Sequence, residues 1–175
     1  MKKEKVVVAM SGGVDSSVVA CILKEQGFEV IGITLQLYKS NNQFVNKKAC
    51  CAGQDIYDAK EVARKIDIPH YVLDYEEKFN DLVVKNFVES YQKGETPIPC
   101  VQCNQYIKFS ELLNTAKAYG ANYLATGHYI KIENKNNEVR LFVADDQNKD
   151  QSYFMFRTKK QDMPFLKFPL GNLKK

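Results

Sequence analysis

Apolar residues recur along this chain in two patterns, as unbroken short runs and as runs spaced for a helix. Val6-Val7-Val8-Ala9 and residues 29–35 are of the first kind, the signature of strands in a parallel sheet covered on both faces. Between them, residues 18–27 carry apolar positions at helical spacing and predict a helix. Residues 38–48 are polar and predict a loop. Residues 54–66 then place Ile56, Ala59, Val62, Ala63 and Ile66 on one helical face, and residues 69–74 predict a third strand. This β-α-β-α-β alternation calls for a parallel sheet with right-handed crossovers.

Farther on, residues 79–91 predict an amphipathic helix with Leu82, Val83, Phe87 and Val88 on its apolar side, stopped at Gly94. Thr96-Pro97-Ile98-Pro99 cannot be helix interior, so Cys100-Val101-Gln102-Cys103 is expected on an extended loop, with Asn104 capping a helix that runs to Tyr119. Residues 121–126 predict a fourth strand that ends at Gly127-His128. Residues 129–132 and 139–143 alternate around an asparagine-rich stretch and predict a hairpin, while residues 145–150 and 164–175 predict irregular structure. The fold class expected is α/β: an open parallel sheet with helices on both faces, plus a small β-hairpin extension near the C-terminal end. Residues 1–144 are expected to form one domain, and residues 145–175 the start of a linker.

Met10-Ser11-Gly12-Gly13-Val14-Asp15-Ser16-Ser17 joins the first strand to the first helix. Glycines let successive N–H groups point into one concavity, and the helix adds its unsatisfied N–H groups and positive dipole end at the same place. Such a turn binds phosphate. There is no Gly-Lys-Ser/Thr for a Walker A loop and no Gly-x-Gly-x-x-Gly for a dinucleotide fingerprint. The sequence Ser-Gly-Gly-Val-Asp-Ser-Ser resembles the PP-loop of ATP pyrophosphatases, which implies binding of the pyrophosphate of ATP and transfer of AMP.

In an open α/β sheet, ligands collect beyond the carboxyl ends of the strands. Leu35 and Gly127 lie at such ends, Leu35 either as plain core or offering its backbone to an adenine edge, Gly127 as bare backbone on which a nucleotide can pack. His128 is placed either to face a phosphate or to make a structural hydrogen bond; His70, inside the third strand, reads as structural.

Composition narrows the setting. The chain of 175 residues is 45% apolar and 26% charged, ordinary for a globular domain, with no apolar run long enough for a membrane span and no signal peptide pattern. A cytoplasmic protein without membrane contact is expected. Five cysteines, an odd number, speak for reactivity or metal binding rather than a disulfide framework. Cys100 and Cys103 share the C-x-x-C spacing of zinc and redox sites, yet the remaining pair, Cys50-Cys51, is adjacent and poorly disposed to complete one metal site. No metal centre is therefore assigned. Cys103, just before the expected helix start, fits a nucleophile with a depressed pKa better than Cys100. The net charge is +4, and Arg157, Lys159, Lys160, Lys167, Lys174 and Lys175 near the end suit either a polyanion partner or a solvated surface.

Taken together, residues 10–17, Ala49-Cys50-Cys51-Ala52, residues 55–70, Thr96-Pro97-x-Pro99 followed by Cys103-Asn104, Ile107-Lys108-Phe109, Ala125-Thr126-Gly127-His128-Tyr129, residues 149–154 and Pro169-Leu170-Gly171 resemble, in order, the tRNA-specific 2-thiouridylases of the MnmA/TrmU family. The resemblance implies ATP-dependent 2-thiolation of the wobble uridine of tRNA: adenylation of uridine O2, then sulfur delivered from a cysteine persulfide, with ATP and Mg²⁺ as cofactors. It implies that Ala9, Met10, Ser11, Gly12, Gly13, Val14, Asp15 and Ser16 hold the ATP phosphates, with Asp15 a candidate to orient the metal. Leu35 and Gly127 would contact the nucleotide, and Cys103 would be the catalytic cysteine that leaves a disulfide on release of product. Ile98, Pro99 and Cys100 would sit near the target base, and Lys149, Asp150 and Gln151 against the tRNA; the partners implied are tRNA and a persulfide sulfur donor protein.

Two departures stand out. Family members often carry Asn-Pro-Asp where this chain has Ile98-Pro99-Cys100, which removes the proposed acid/base aspartate. The family's second, persulfide-carrying cysteine lies beyond residue 175, so the chain is expected to be an N-terminal PP-loop domain, able to bind ATP but not to complete sulfur transfer. The alternatives are another PP-loop tRNA-modifying enzyme, a non-catalytic ATP/tRNA-binding fragment, and a zinc or iron–sulfur module.

Overall fold

The computed structural model describes residues 3–38, 53–135 and 138–175. Cys50 and Cys51, with residues 39–48 of the loop expected at 38–48, lie outside the described residues. Five strands form one parallel sheet: β1 (Lys5–Ala9), β2 (Glu29–Gln36), β3 (His70–Asp74), β4 (Tyr123–Ala125) and β7 (Leu166–Lys167), in the order β3-β2-β1-β4-β7. The chain reverses direction across the sheet at β1, with β2 and β3 on one side and β4 and β7 on the other. This is the topological switch point where an open sheet offers its crevice.

Alternation along β1 sends its side chains to opposite layers, as period-two geometry requires. Val6 and Val8 pack with Val19, Ala20 and Leu23 of α1 (Val14–Glu25) and with Ala59 and Ala63 of α2 (Gly53–Lys65). Val7 packs on the other face with Phe79, Val83, Ile107, Leu112 and Leu113. Those residues belong to two helical runs. The first passes through α3 (Glu76–Phe79), a π-helical stretch at Asn80–Val84 and α4 (Lys85–Gln92). The second passes through α5 (Pro99–Gln102), a π-helical stretch at Cys103–Leu112 and α6 (Leu113–Ala118). Helices therefore cover both faces. The expected hairpin is present as β5 (Ile130–Lys135) against β6 (Glu138–Val143), antiparallel and separate from the main sheet.

Two local expectations are corrected. Cys100-Val101-Gln102-Cys103 is helical rather than extended, and Asn104, buried inside the run, caps nothing. The reason is Pro99, which occupies the first helical position, where its fixed φ suits the helix and its missing N–H costs no bond, while Ile98 stays non-helical before it. Residues 164–175, expected as irregular, supply β7, which pairs with β4, and Phe168 and Leu170 are buried in the two core layers. Part of the stretch expected as linker is thus sheet and core. β3 takes an edge of the described sheet, with Tyr71 and Val72 exposed.

Candidate functional site

The loop after β1 is shaped by contacts that leave its amides free. Met10 donates its N–H to the Ile33 carbonyl, ending the β1–β2 ladder. Ser16, buried, accepts the Ser11 N–H at 3.1 Å and donates its hydroxyl to the Gly13 carbonyl at 3.1 Å; Ser17 donates to the same carbonyl at 3.0 Å. The N–H groups of Gly12, Gly13, Val14, Asp15 and Ser16 have no acceptor among the described residues. These donors converge at the N-terminus of a twelve-residue helix, an arrangement suited to an anion. Of the expected phosphate-binding residues, Ala9 and Met10 thus shape the sheet end, and the donors begin at Gly12.

Each of two glycines is required for its own reason. Gly12 has φ +78°, and a Cβ there would lie 2.3 Å from the Asp55 carbonyl oxygen of α2. Gly127 has an ordinary φ, but a Cβ on it would meet the Ser16 nitrogen at 2.9 Å and the Asp15 carbonyl carbon at 3.1 Å. Its bareness lets β4 approach the first turn of α1, a different role from the expected packing surface for a nucleotide, although Gly127 still lines the cleft.

Leu35 keeps one side of its backbone open. Even-numbered residues of β2 bond toward β3, as in Gly32 to Pro69 and Tyr75 to Gln36, so odd-numbered ones face β1, as in Met10 to Ile33. β1 stops before Leu35, whose N–H and C=O therefore meet no strand on that side. The Leu35 side chain itself is core.

The cleft beyond these strand ends is lined by Ser11, Asp15, Ser16, Leu35, Leu37, Cys103, Lys108, Thr126, Gly127, His128 and Gln151, among others. Cys103 reaches it half-buried, whereas Cys100 and Ile98 are exposed. The helix-start argument for Cys103 fails, since the run begins four residues earlier, at Pro99, and places Cys100 nearer the helix N-terminus. Location in the cleft is what distinguishes Cys103. No disulfide joins Cys21, Cys100 and Cys103 to one another.

Lys149, Asp150 and Gln151 divide. Asp150 accepts the Ala144 N–H at 2.9 Å and the Ser152 hydroxyl at 2.6 Å, and Gln151 accepts the Tyr129 N–H at 3.1 Å; Lys149 is exposed. Of the basic residues near the end, Lys160 pairs with Glu138, Lys175 with Asp15, and Lys167 lies over the rings of Tyr123 and Phe28. Among the described residues, Arg157, Lys159 and Lys174 pair with no acid.

His128 is buried between Phe109 and Phe168, with Nδ1 2.7 Å from the Thr126 hydroxyl. Burial first, and then the nearby Lys108 charge, push its pKa down from 6.5 to about 3. It is neutral at physiological pH and cannot serve as a cation for phosphate. Between these two values the unfolded chain binds the extra proton. Stability is therefore full above about pH 6.5 and falls as the pH drops, with His128 contributing a loss of about 2 kcal/mol by pH 5. Burial lowers the pKa of His70 as well, in the same direction. Urea unfolding at pH 7 and pH 5 should show the loss, and His128→Gln should remove most of it.

Sequence reasoning missed Lys108. It appears only inside the motif Ile107-Lys108-Phe109, and a lone lysine at helical spacing reads as solvated surface. No cluster of three or more His, Cys, Asp or Glu residues able to hold a metal occurs among the described residues, and no helix among them is long and apolar enough to cross a membrane.

Comparisons with known proteins match this architecture. The family model described as the tRNA methyl transferase HUP domain matches residues 4–175. The tRNA-specific 2-thiouridylases MnmA of Rickettsia rickettsii (strain Sheila Smith) and Rickettsia massiliae (strain Mtu5) are each 59% identical over 174 residues, covering 99% of this chain. The chain spans about half the length of these curated relatives, 48% in both cases. A solved structure, the predicted subunit of tRNA methyltransferase from Methanocaldococcus jannaschii, aligns with 98% of this chain and 70% of its own at a TM-score of 0.54 and 20% identity, a likeness of fold. Because the family match runs through every strand and helix described above, the chain belongs to the tRNA methyl transferase HUP domain family, with tRNA-specific 2-thiouridylases as its relatives.

Proposed function

We propose that this chain is the PP-loop domain, residues 1–144 together with the β7 segment, of an enzyme that 2-thiolates the wobble uridine of tRNA at the expense of ATP. The observation that carries the reading is the meeting, in one cleft at the sheet's switch point, of an anion loop with unpaired amides and the thiol of Cys103. The residues present fit ATP. Gly12, Gly13, Val14, Asp15 and Ser16 would hold its phosphates by main-chain donors, and the open backbone of Leu35 would read the adenine edge. Ala9, Met10, Ser11 and Gly127 would shape the walls.

When bound, ATP supplies the AMP group that converts uridine O2 into a leaving group, and Mg²⁺ neutralises the departing pyrophosphate. Asp15 is the carboxylate available to that ion. It accepts the Tyr129 hydroxyl at 3.3 Å and pairs with Lys175 at 2.8 Å, so Mg²⁺ arriving with the phosphates would take the place of Lys175. Fixed amides at the loop stabilise charge without reorganising, which is the larger part of catalysis at such sites. The outer sulfur of a persulfide on a second cysteine, itself charged by a donor protein, would attack uridine C2 as AMP leaves, and Cys103 would then attack that cysteine's own sulfur, releasing the thiolated uridine and leaving a disulfide for reduction. Ile98, Pro99 and Cys100, at the exposed start of the same helical run, would face the target base, with Lys149 and the flanking Asp150-Gln151 turn against the tRNA backbone.

The test is release of AMP and pyrophosphate from ATP with Mg²⁺, with and without unmodified tRNA whose wobble base is uridine. AMP that appears only with that tRNA supports adenylation. ATP binding without AMP favours a non-catalytic ATP- and tRNA-binding role, and ADP as product overturns the reading.

A further inference from the structure

Cys103 and Lys108 are five residues apart, yet both line the cleft. In an α-helix of 3.6 residues per turn, such a pair points about 140° apart. Here the segment Cys103–Leu112 is π-helical, and its i→i+5 bonding brings residue i+5 back close over residue i. Long π-helical segments are uncommon, and where they occur they often mark functional sites. In this protein the consequence is specific: the wider turn carries a lysine onto the face that holds the thiol, while Asn104, Ile107, Phe109 and Leu112 still reach the core.

Charge in the cleft makes that lysine consequential. Lys108 is the one cationic side chain among the described residues that line it, and it makes no hydrogen bond or ion pair among them. The one carboxylate in the lining, Asp15, is turned to Lys175 and Tyr129. The nearby imidazole, His128, is held neutral by its burial. A half-buried ammonium with no counter-ion in a cleft that also holds unpaired amides calls for an anionic ligand.

We propose, building on the ATP reading above, that Lys108 is a catalytic residue whose ammonium binds the α-phosphate of ATP, the phosphate between the loop and the adenine edge, and keeps it beside Cys103. The loop amides alone hold the outer phosphates. Lys108 adds a mobile point charge at the phosphorus where the bond to uridine oxygen forms and the bond to pyrophosphate breaks.

Calorimetric titration of the chain with ATP, AMP and adenosine separates this role from packing. Lys108→Gln is expected to weaken ATP and AMP about ten- to a hundred-fold, to leave adenosine within about twofold, and to be largely rescued by Lys108→Arg. If Lys108→Gln does not fold, Lys108→Met, which keeps the apolar stem, carries the same expectation. Equal weakening of adenosine and ATP, or unchanged ATP and AMP, overturns the proposal while leaving the ATP reading intact. A wild-type chain that binds neither ATP nor AMP overturns both.

Discussion

Exchanging Cys103 for serine should lower 2-thiouridine formation by at least about a thousandfold when the domain is assayed in a protein of the relatives' full length, with ATP affinity unchanged. Serine occupies nearly the same volume at this half-buried position, and none of the loop amides or the Leu35 backbone depends on the thiol. What is lost is nucleophilicity, because a hydroxyl at neutral pH cannot attack a persulfide sulfur as a thiolate does. Released AMP should persist where uridine is adenylated and then hydrolysed. Mercury-gel retardation of the tRNA reads the thiolation and thin-layer separation reads the AMP. Thiolation that survives the exchange would remove Cys103 from the reaction, and Cys21→Ser, in α1 and outside the cleft lining, gives the contrast.

Gly12→Ala should unfold or displace the loop, with a loss of about 3 kcal/mol or more in stability and of measurable ATP binding. Two costs add. The φ of +78° is strained for any side chain, and the new Cβ would fall 2.3 Å from a backbone oxygen and 2.6 Å from the Cα of Asp55. Backbone at the first turn of α2 cannot rotate away as a side chain would, so relief requires α2 and the loop to separate. That separation would disperse the unpaired amides of the loop. Gly13→Ala is the control: Gly13 is extended, with φ −78° and ψ 161°, and its nearest neighbour is the flexible Ser11 hydroxyl at 3.5 Å. It should change stability by about 0.5 kcal/mol or less. Thermal unfolding and ATP titration of the two variants decide the matter, and equal behaviour would show that the loop tolerates side chains at both glycines.

Much of the architecture was readable in the sequence because it is written in short periods. Val6 to Val8 and residues 30–35 are buried, so their runs are nearly all apolar, and α1 and α2 show the spacing of helices with one covered side. Ser11-Gly12-Gly13 before a helix announces an anion loop for the same local reason, since free amides and a positive φ are properties of a few consecutive residues. Leu35 was readable as a strand end. Its open backbone follows from where β1 stops, a matter of register between strands distant in sequence.

The remaining features depend on partners that no local period encodes. β7 is two residues long and becomes a strand because β4 offers it an edge. Pro99 starts a helix instead of prolonging a loop because its ring suits the first helical position of a turn that packs beside the π-helical stretch Asn80–Val84. His128 is neutral because Phe109, from a helix, and Phe168, from beyond the hairpin, close over it. Lys108 joins Cys103 because the helix between them widens to a π-helical turn, a departure from the 3.6-residue period on which any reading of helical faces relies. Local sequence specifies strands, helices and the glycine loop through backbone preference and burial of one face. The charge and the thiol that line the cleft are set by packing between elements far apart in the chain.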